Sequence, residues 1–487
     1  KIKLKADPQN GMKHGEIDKQ AHRAMSMYNT LDANTRAIDS TLGNVMGGLR
    51  ALMVASKLGG TTLTTFGDHA SMKKVANMLG LSYTKSILPE YMKQLKQGAT
   101  RDEALRFGLG INEMAGSMTR FGDADIVSSA TKSGRFNARM QAFAATTMKL
   151  SGLNAVTAGA KRALNLVHMN KLAEMTRKTD WKDLGADDLK ILQGNGITER
   201  DWQLWQQLEP SKREDGTAVL SQNDFFNAPD DVIKQFLPLD KQDNANALAD
   251  FRYKAAMKYQ THIFNEESVA IIEAGVRERS IINLGEAGTI QGELGRTLFQ
   301  FKGFPLAYMF RIGHRAFAQG DIKSRVTFLA SLLAYQTLAG ALIVQTQNLA
   351  NGKNPEPVFT IDFFGKSLLK GGGLSFLGDI MSALSDPTGR SASDFISGPL
   401  LGQSMKLGML LTGMGNNIIE GKESTRMMEV ANTLKSNIPL QNLWYSKLVV
   451  DRMLFSKMQN MIDPDYLPRT QQRLENLGNS YWWDLSE

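Results

Sequence analysis

Apolar residues in this chain recur every three or four positions over long stretches, while the every-second-residue pattern of a half-buried strand is hard to find anywhere along it. A period near 3.6 lays an apolar stripe along a helix and a period of two lays it on one face of a strand, so the spacing predicts an all-α fold. Ala21, Ala24, Met25 and Tyr28 share one helical face, and Leu49, Leu52, Met53 and Leu58 continue the habit, so 20–60 reads as helix. Gly43, Gly47, Gly48, Ala51 and Ala55 lie among them, and such small residues let helix backbones approach closely. The expected architecture is an elongated multi-helix assembly with glycine-rich turns and an irregular C-terminal arm.

A length of 487 residues is too much for one ordinary core. Shifts of composition divide the chain into four regions: 1–180, helical with basic amphipathic stretches; 181–246, a polar, Trp-containing connecting region; 247–352, helical with aromatic and apolar helices; and 353–487, short helices punctuated by glycine, with a docking arm. Hydrophobic residues at 42% and charged residues at 22% argue against wholesale disorder and against a polytopic membrane protein. The absence of cysteine excludes disulfides and thiol-based metal or nucleophile chemistry, and lets the chain cross redox compartments unchanged. The 25 methionines read first as core filling, with the capacity to repack against new neighbours. The start at Lys1, Ile2, Lys3, Leu4 and Lys5 lacks an apolar h-region, so the expectation is no secretory signal and a piece of a longer protein.

Lysine and arginine exceed the acids by 57 to 49, a net charge of +8 that favours nucleic acid or anionic lipid without demanding either. The clearest basic amphipathic stretch is 134–178, where Arg135, Arg139, Lys161, Arg162, Lys171, Arg177 and Lys178 are interspersed with apolar residues. These are the candidate nucleic-acid-facing residues. Dispersed cations without a reading helix or a stacking platform imply contact with the backbone of double-stranded DNA, neutral to sequence.

From 326 to 352 no charged residue occurs, a run long enough to span a hydrocarbon core of about 30 Å, which needs about 20 mainly apolar residues. Leu329, Leu332, Leu333, Leu338 and Ile343 are its membrane-facing or packing residues. Ser331, Gln336, Thr337, Gln345, Thr346 and Gln347 make it more polar than a helix wholly exposed to lipid, and a buried core helix has the same pattern. At the end of the chain, Pro464, Pro468, Tyr481, Trp482 and Trp483 suggest an extended arm that docks on something rather than a closing helix.

Catalytic patterns are missing. Gly365, Lys366 and Ser367 resemble the tail of a phosphate-binding loop, but Thr360 stands where the upstream glycine belongs, and Phe363 and Phe364 would crowd the loop. His14, His22, His69, His168, His262 and His314 are scattered, with no pair at metal-binding helical spacing. His168 and His314, in basic helical stretches, read as surface, nucleic-acid-facing or packing residues. Gly373, Ser375 and Leu377 fail the serine-elbow pattern at its last position. Glu266 with Glu267, Asp230 with Asp231, and Asp123 with Asp125 read as solvated helix or turn residues. The reading is of no enzyme, no metal and no cofactor in this segment.

One run, from Gly292 and Glu293 through Arg296, Gln300, Phe301, Lys302, Phe304 and Pro305, is followed by an aromatic helix and then by the uncharged one. With the blocks 49–59, 148–153, 371–378 and Gly398-Pro399, in that order along the chain, it resembles the C-terminal part of the large internal virion (ejection) proteins of short-tailed bacteriophages. Related helical segments also occur at the ends of very large phage and mobile-element polyproteins. The resemblance implies a homo-oligomer, packaged in the capsid above the portal with other ejection proteins. It further implies release through the tail and help in building a conduit for the genome across the host envelope. After ejection the expected location is the host periplasm, inner membrane or cytoplasm. Many such proteins carry a cell-wall transglycosylase at their opposite end, and nothing here resembles that domain. Two other readings are a purely structural core or portal-docking protein and the accessory end of a virion-packaged enzyme.

Overall fold

The computed structural model describes residues 40–96, 98–109, 131–282, 285–372, 440–476 and 479–483, with a few isolated positions elsewhere. The expected all-α fold is what these residues form. α1 (Ser40–Lys57) leads through a 3-10 turn into α2 (Phe66–Met78), α3 (Leu88–Lys96) and α4 (Gly98–Arg106). Then come α5 (Lys132–Leu150), α6 (Leu153–Lys178), α7 (Ala186–Gly194) and α8 (Glu199–Gln207). A short antiparallel pairing of β1 (Ser211–Lys212) with β2 (Ala218–Val219) is the strand content among the described residues. The chain continues through α9 (Gln222–Phe226), α10 (Asp230–Lys234), α11 (Ala245–Ala270), α12 (Val276–Ile282), α13 (Ile290–Leu298) and α14 (Gly303–Phe317). It ends with α15 (Ile322–Ala350), α16 (Ile361–Lys370), α17 (Lys447–Val450), α18 (Lys457–Ile462) and α19 (Tyr466–Asn476).

Local chemistry sets the helix starts. The Thr131, Asp321 and Thr360 side chains accept from backbone amides at the first turns of α5, α15 and α16, and Thr198 with Asp201 forms a capping box on α8. A turn at Ser151 and Gly152 separates α5 from α6, and the φ of 78° at Gly152 suits glycine.

Among the described residues, three apolar cores organise the helices. The largest gathers Trp202, Trp205, Phe225 and Tyr259 around Leu166 and Met169 of α6, with Tyr259 donating to the Leu220 carbonyl. The stretch 181–246, expected as a polar connector, therefore supplies much of a core. Its polar loop is anchored too: Arg213 is buried between Glu90 and Glu103, at 2.9 and 3.0 Å. The second core joins α2, α6, α14 and α15 through Val75, Leu164, Ala307, Ile312, Phe328 and Leu332. The third, smaller core lies between α1 and α5.

The expectation of an irregular C-terminal arm needs correction. Residues Tyr466–Asn476 are helical, because Pro468 falls in the first turn, where its missing N–H takes nothing from the helix. The following segment does dock in extended form: Tyr481 pairs with Lys353, and Trp482 donates its amide to Gly352 and its indole N–H to Leu349. The glycine runs at 373–378 and 398–402 lie outside the described residues.

α15 and α16 approach each other closely. A Cβ on Gly340 would overlap the carbonyl oxygen of Ser367, and one on Gly371 would overlap that of Gln336. Both overlaps are with backbone, which cannot rotate aside. Gly340→Ala should therefore separate the two helices and cost about 1–3 kcal/mol despite the better helix propensity of alanine, read as a lower denaturant midpoint. An unchanged or raised midpoint would show that the contact is not tight.

Candidate functional site

α15 is 29 residues long, and only 28% of its most apolar 18-residue window is buried. Its inner face packs Phe328, Leu332, Gln336, Ala339, Gly340, Ile343 and Val344 against α2, α14 and α16. Its outer face carries Val326, Ala330, Ala334, Leu338 and Leu342, all exposed and uncharged. The residues singled out in the sequence divide accordingly: Leu332 and Ile343 are buried, Leu333 is half-buried, and Leu329 and Leu338 are exposed. Several of its polar residues bond within the protein, although the side-chain oxygen of Gln336 is buried without a partner. Gln336 donates to the Tyr308 hydroxyl at 2.5 Å, Ser331 accepts from Lys74 at 2.6 Å, and Gln345 exchanges two hydrogen bonds with the Glu356 backbone. Thr337 and Thr346 bond back to carbonyls one turn earlier. The outer face is thus left apolar, as a lipid or partner surface requires.

The seven candidate DNA-facing cations do not form one surface. Arg135 and Arg139 are exposed on α5, and Arg177 and Lys178 at the last turn of α6, where cations offset the helix dipole. Lys178 also reaches Glu174 at 3.7 Å. Lys161 and Arg162 must be corrected from nucleic-acid-facing to interior. α6 is enclosed on most sides, and Lys161 lies 2.7 Å from Glu273 and 3.5 Å from Glu267, while Arg162 donates to Gln94 at 3.0 Å. Lys171 is mostly covered and pairs with Asp188 at 2.6 Å. Buried cations need such partners, because desolvation otherwise costs more than packing returns.

One partner, Glu267, and its neighbour Glu266 are acids that sequence reasoning placed in solvent. Glu266 and Glu267 are buried on α11; Glu266 holds Arg315 at 2.6 Å and Asn195 at 2.8 Å, and Glu267 accepts from Asn165 at 2.5 Å. Burial pushes the Glu267 carboxyl up, against the pull of Lys161. Asp230 stays exposed and pairs with Arg252. Asp123 and Asp125 lie outside the described residues, as do His14 and His22.

Three of the blocks quoted for the phage resemblance converge in space, while 373–378 and Gly398-Pro399 lie outside the described residues. Ala51, Val54 and Ala55 of the first meet Met148 and Leu153 of the second, with Phe301 of the third packed against them. Gln300 donates to the Arg50 carbonyl at 2.9 Å, and the buried Arg50 guanidinium meets Glu293 at 2.7 Å, with Arg296 beside it at 4.0 Å. The Gly288 amide gives Glu293 a further hydrogen bond at 2.8 Å. Phe301 has φ at 69°, an uncommon conformation for a bulky residue, with its ring packed against the small core. Lys302 precedes α14, Phe304 is exposed, and Pro305 is buried in the first turn. This motif is a structural junction.

The remaining decoys resolve simply. Gly365, Lys366 and Ser367 are interior residues of α16, with Lys366 paired to Glu356 at 2.7 Å, so no loop is there to cradle a phosphate. Among the described residues no three His, Asp or Glu side chains group to hold a metal. What sequence reading missed is that the rings of His168 and His262 meet edge to face, 5.2 Å apart. His168 is buried, so of the surface, nucleic-acid-facing and packing readings only packing holds, and both ring nitrogens of His262 lack a hydrogen-bond partner. Burial holds His262 down at about 4 and His168 well below its ordinary value. Positions 94 residues apart on two helices gave no local signal. No protein family, curated protein or solved structure matches this chain.

Two outcomes follow from the buried charges. Glu293→Ala removes the carboxylate that lies 2.7 Å from the buried Arg50 and 4.0 Å from Arg296, and should cost about 3–5 kcal/mol in urea unfolding; a loss under 1 kcal/mol would remove the junction's importance. For His262, a folded pKa near 4 against 6.5 unfolded means that the unfolded chain takes up the extra proton as pH falls. Stability is therefore fully present above about 6.5 and drains away toward 4, by about 2 kcal/mol between pH 7 and pH 5 from this residue. His262→Phe should flatten that slope, while Glu267, whose pKa moves the other way, is common to both proteins. An identical slope in the variant would refute the assignment.

Proposed function

We propose that this chain is a non-catalytic, helical segment of a phage internal virion protein, carried in the capsid and ejected with the genome to help form a conduit across the host envelope. The observation that carries the membrane part of this reading is the outer face of α15, uncharged from 326 to 352 and about as long as a hydrocarbon core is thick. In the virion that face would lie against sister subunits or other ejection proteins, and after release against lipid of the inner membrane. Several polar side chains of α15 are already bonded within the protein, which suits both settings.

The cysteine-free composition and the family-like blocks support the phage setting. The exposed Arg135, Arg139, Arg177 and Lys178 support at most sequence-neutral contact with DNA.

Leu338 and Ile343 separate the membrane role from folding, since the first is 67% exposed and the second 0%. Leu338→Arg should leave helix content and the unfolding midpoint unchanged. Vesicle insertion of the chain and genome entry from particles carrying the change should both fall, at a cost of roughly 2.5–3.5 kcal/mol for arginine near mid-bilayer. Ile343→Arg should instead lower stability in solution. Unimpaired insertion and genome entry for Leu338→Arg would overturn the membrane role and favour an internal scaffold.

A further inference from the structure

A cleft of about 880 Å³ opens where α2, α7, the end of α11, α14 and the start of α15 meet. Six lysine and arginine side chains and His314 line it, against the carboxylates of Asp187 and Glu266. Glu266 is already committed to Arg315, at 2.6 Å.

Several of the cations are held in place without being neutralised. Arg311 donates to the Ser268 carbonyl at 2.8 Å, Arg277 lies over the Phe310 ring at 4.6 Å, and Lys74 bonds the Ser331 hydroxyl. Lys190, Lys323 and His314 are exposed at the cleft. A recessed, preorganised set of guanidinium and ammonium groups matches the oxygens of a phosphate.

The surroundings select which phosphate. Lys323 and Thr327 line the cleft one helical turn apart on α15, and at the same three-to-four spacing that face continues through Ala330, Ala334, Leu338 and Leu342. The charged cleft therefore runs directly into the uncharged outer face. From Thr327 to Leu349 that face extends roughly 33 Å at about 1.5 Å per residue. A duplex would need positive charge to continue along its path, and none follows between 326 and 352. An amphiphile needs this order: a charged end, then an apolar length.

We propose that the cleft binds the phosphate headgroup of an anionic phospholipid whose acyl chains lie along the outer face of α15. The inference rests on the membrane reading of that helix and adds to it a lipid class and a seat for the headgroup.

The test is co-sedimentation of the full chain with vesicles of phosphatidylcholine alone, and of phosphatidylcholine containing phosphatidylglycerol. The unmodified chain should bind both and bind the anionic vesicles more tightly. The double variant Lys190→Glu with Lys323→Glu removes exposed cleft charge without touching a buried contact. It should lose the anionic preference, roughly tenfold in affinity, while keeping its binding to phosphatidylcholine. Reversing Lys182 and Lys241, exposed lysines outside the cleft, should leave the preference nearly intact.

Equal binding to both vesicles by the unmodified chain, or an equal loss in the control pair, would overturn the headgroup site and leave the membrane reading standing. Displacement by inorganic phosphate alone would overturn it in favour of a free-anion site. Loss of binding to a short DNA duplex in the cleft variant, with vesicle binding unchanged, would reassign the cleft to nucleic acid. Failure to bind either vesicle would sink the membrane reading as well.

Discussion

The fold depends on charge that is buried and matched between α6 and α11. Lys161, Asn165 and Glu267 form one connected group, which Glu273 extends, and Glu266 ties Arg315 of α14 and Asn195 at the end of α7 into the same layer. Two large apolar cores lie against these helices, one holding the Trp202 and Trp205 cluster and the other leading to α15. Apolar packing would tolerate many rotations of α6 against α11. A buried carboxylate tolerates only those in which its cation arrives, so the ion pairs select one register at little net gain in energy.

A second matched group, Arg50 with Glu293 and Arg296, joins the N-terminal helices to the segment just before α14. Three sequence blocks separated by long stretches of chain meet there, which gives a physical reason for their appearing together: each supplies one side of a single small core. The strained backbone at Phe301 fits the same account, because its ring fills that core while Gln300 bonds the Arg50 carbonyl.

α15 is attached by one face and leaves the other bare. Its attachment includes backbone against backbone at Gly340 and Gly371, reinforced by Gln336, which bonds Tyr308, and by Thr337, which bonds back onto the helix. Close backbone contact of this kind adds to the apolar packing of Phe328 and Leu332 and does not depend on what lies against the outer face, so it can persist when those surroundings change from protein to lipid. The basic cleft at its N-terminal end makes the helix asymmetric along its length, with charge at one end only.

Helical spacing by itself determined the all-α class, the uncharged length of α15 and the helical character of 40–57 and 134–178, because periodicity is a local property that the backbone expresses wherever it packs. The sequence likewise showed that Gly365, Lys366 and Ser367 lack the glycine a phosphate loop needs. Tertiary structure alone decided which charged residues face water. Lys161 and Arg177 look alike on one basic helix, yet one is buried against Glu267 and Glu273 and the other is exposed. Glu273 lies 112 residues from Lys161 and Glu267 lies 102 from Asn165, separations at which no local pattern reports a partner. The His168 and His262 contact, the inward face of α15 and the basic cleft have the same origin: each is made by side chains whose neighbours come from other helices, and only the packed chain brings them together.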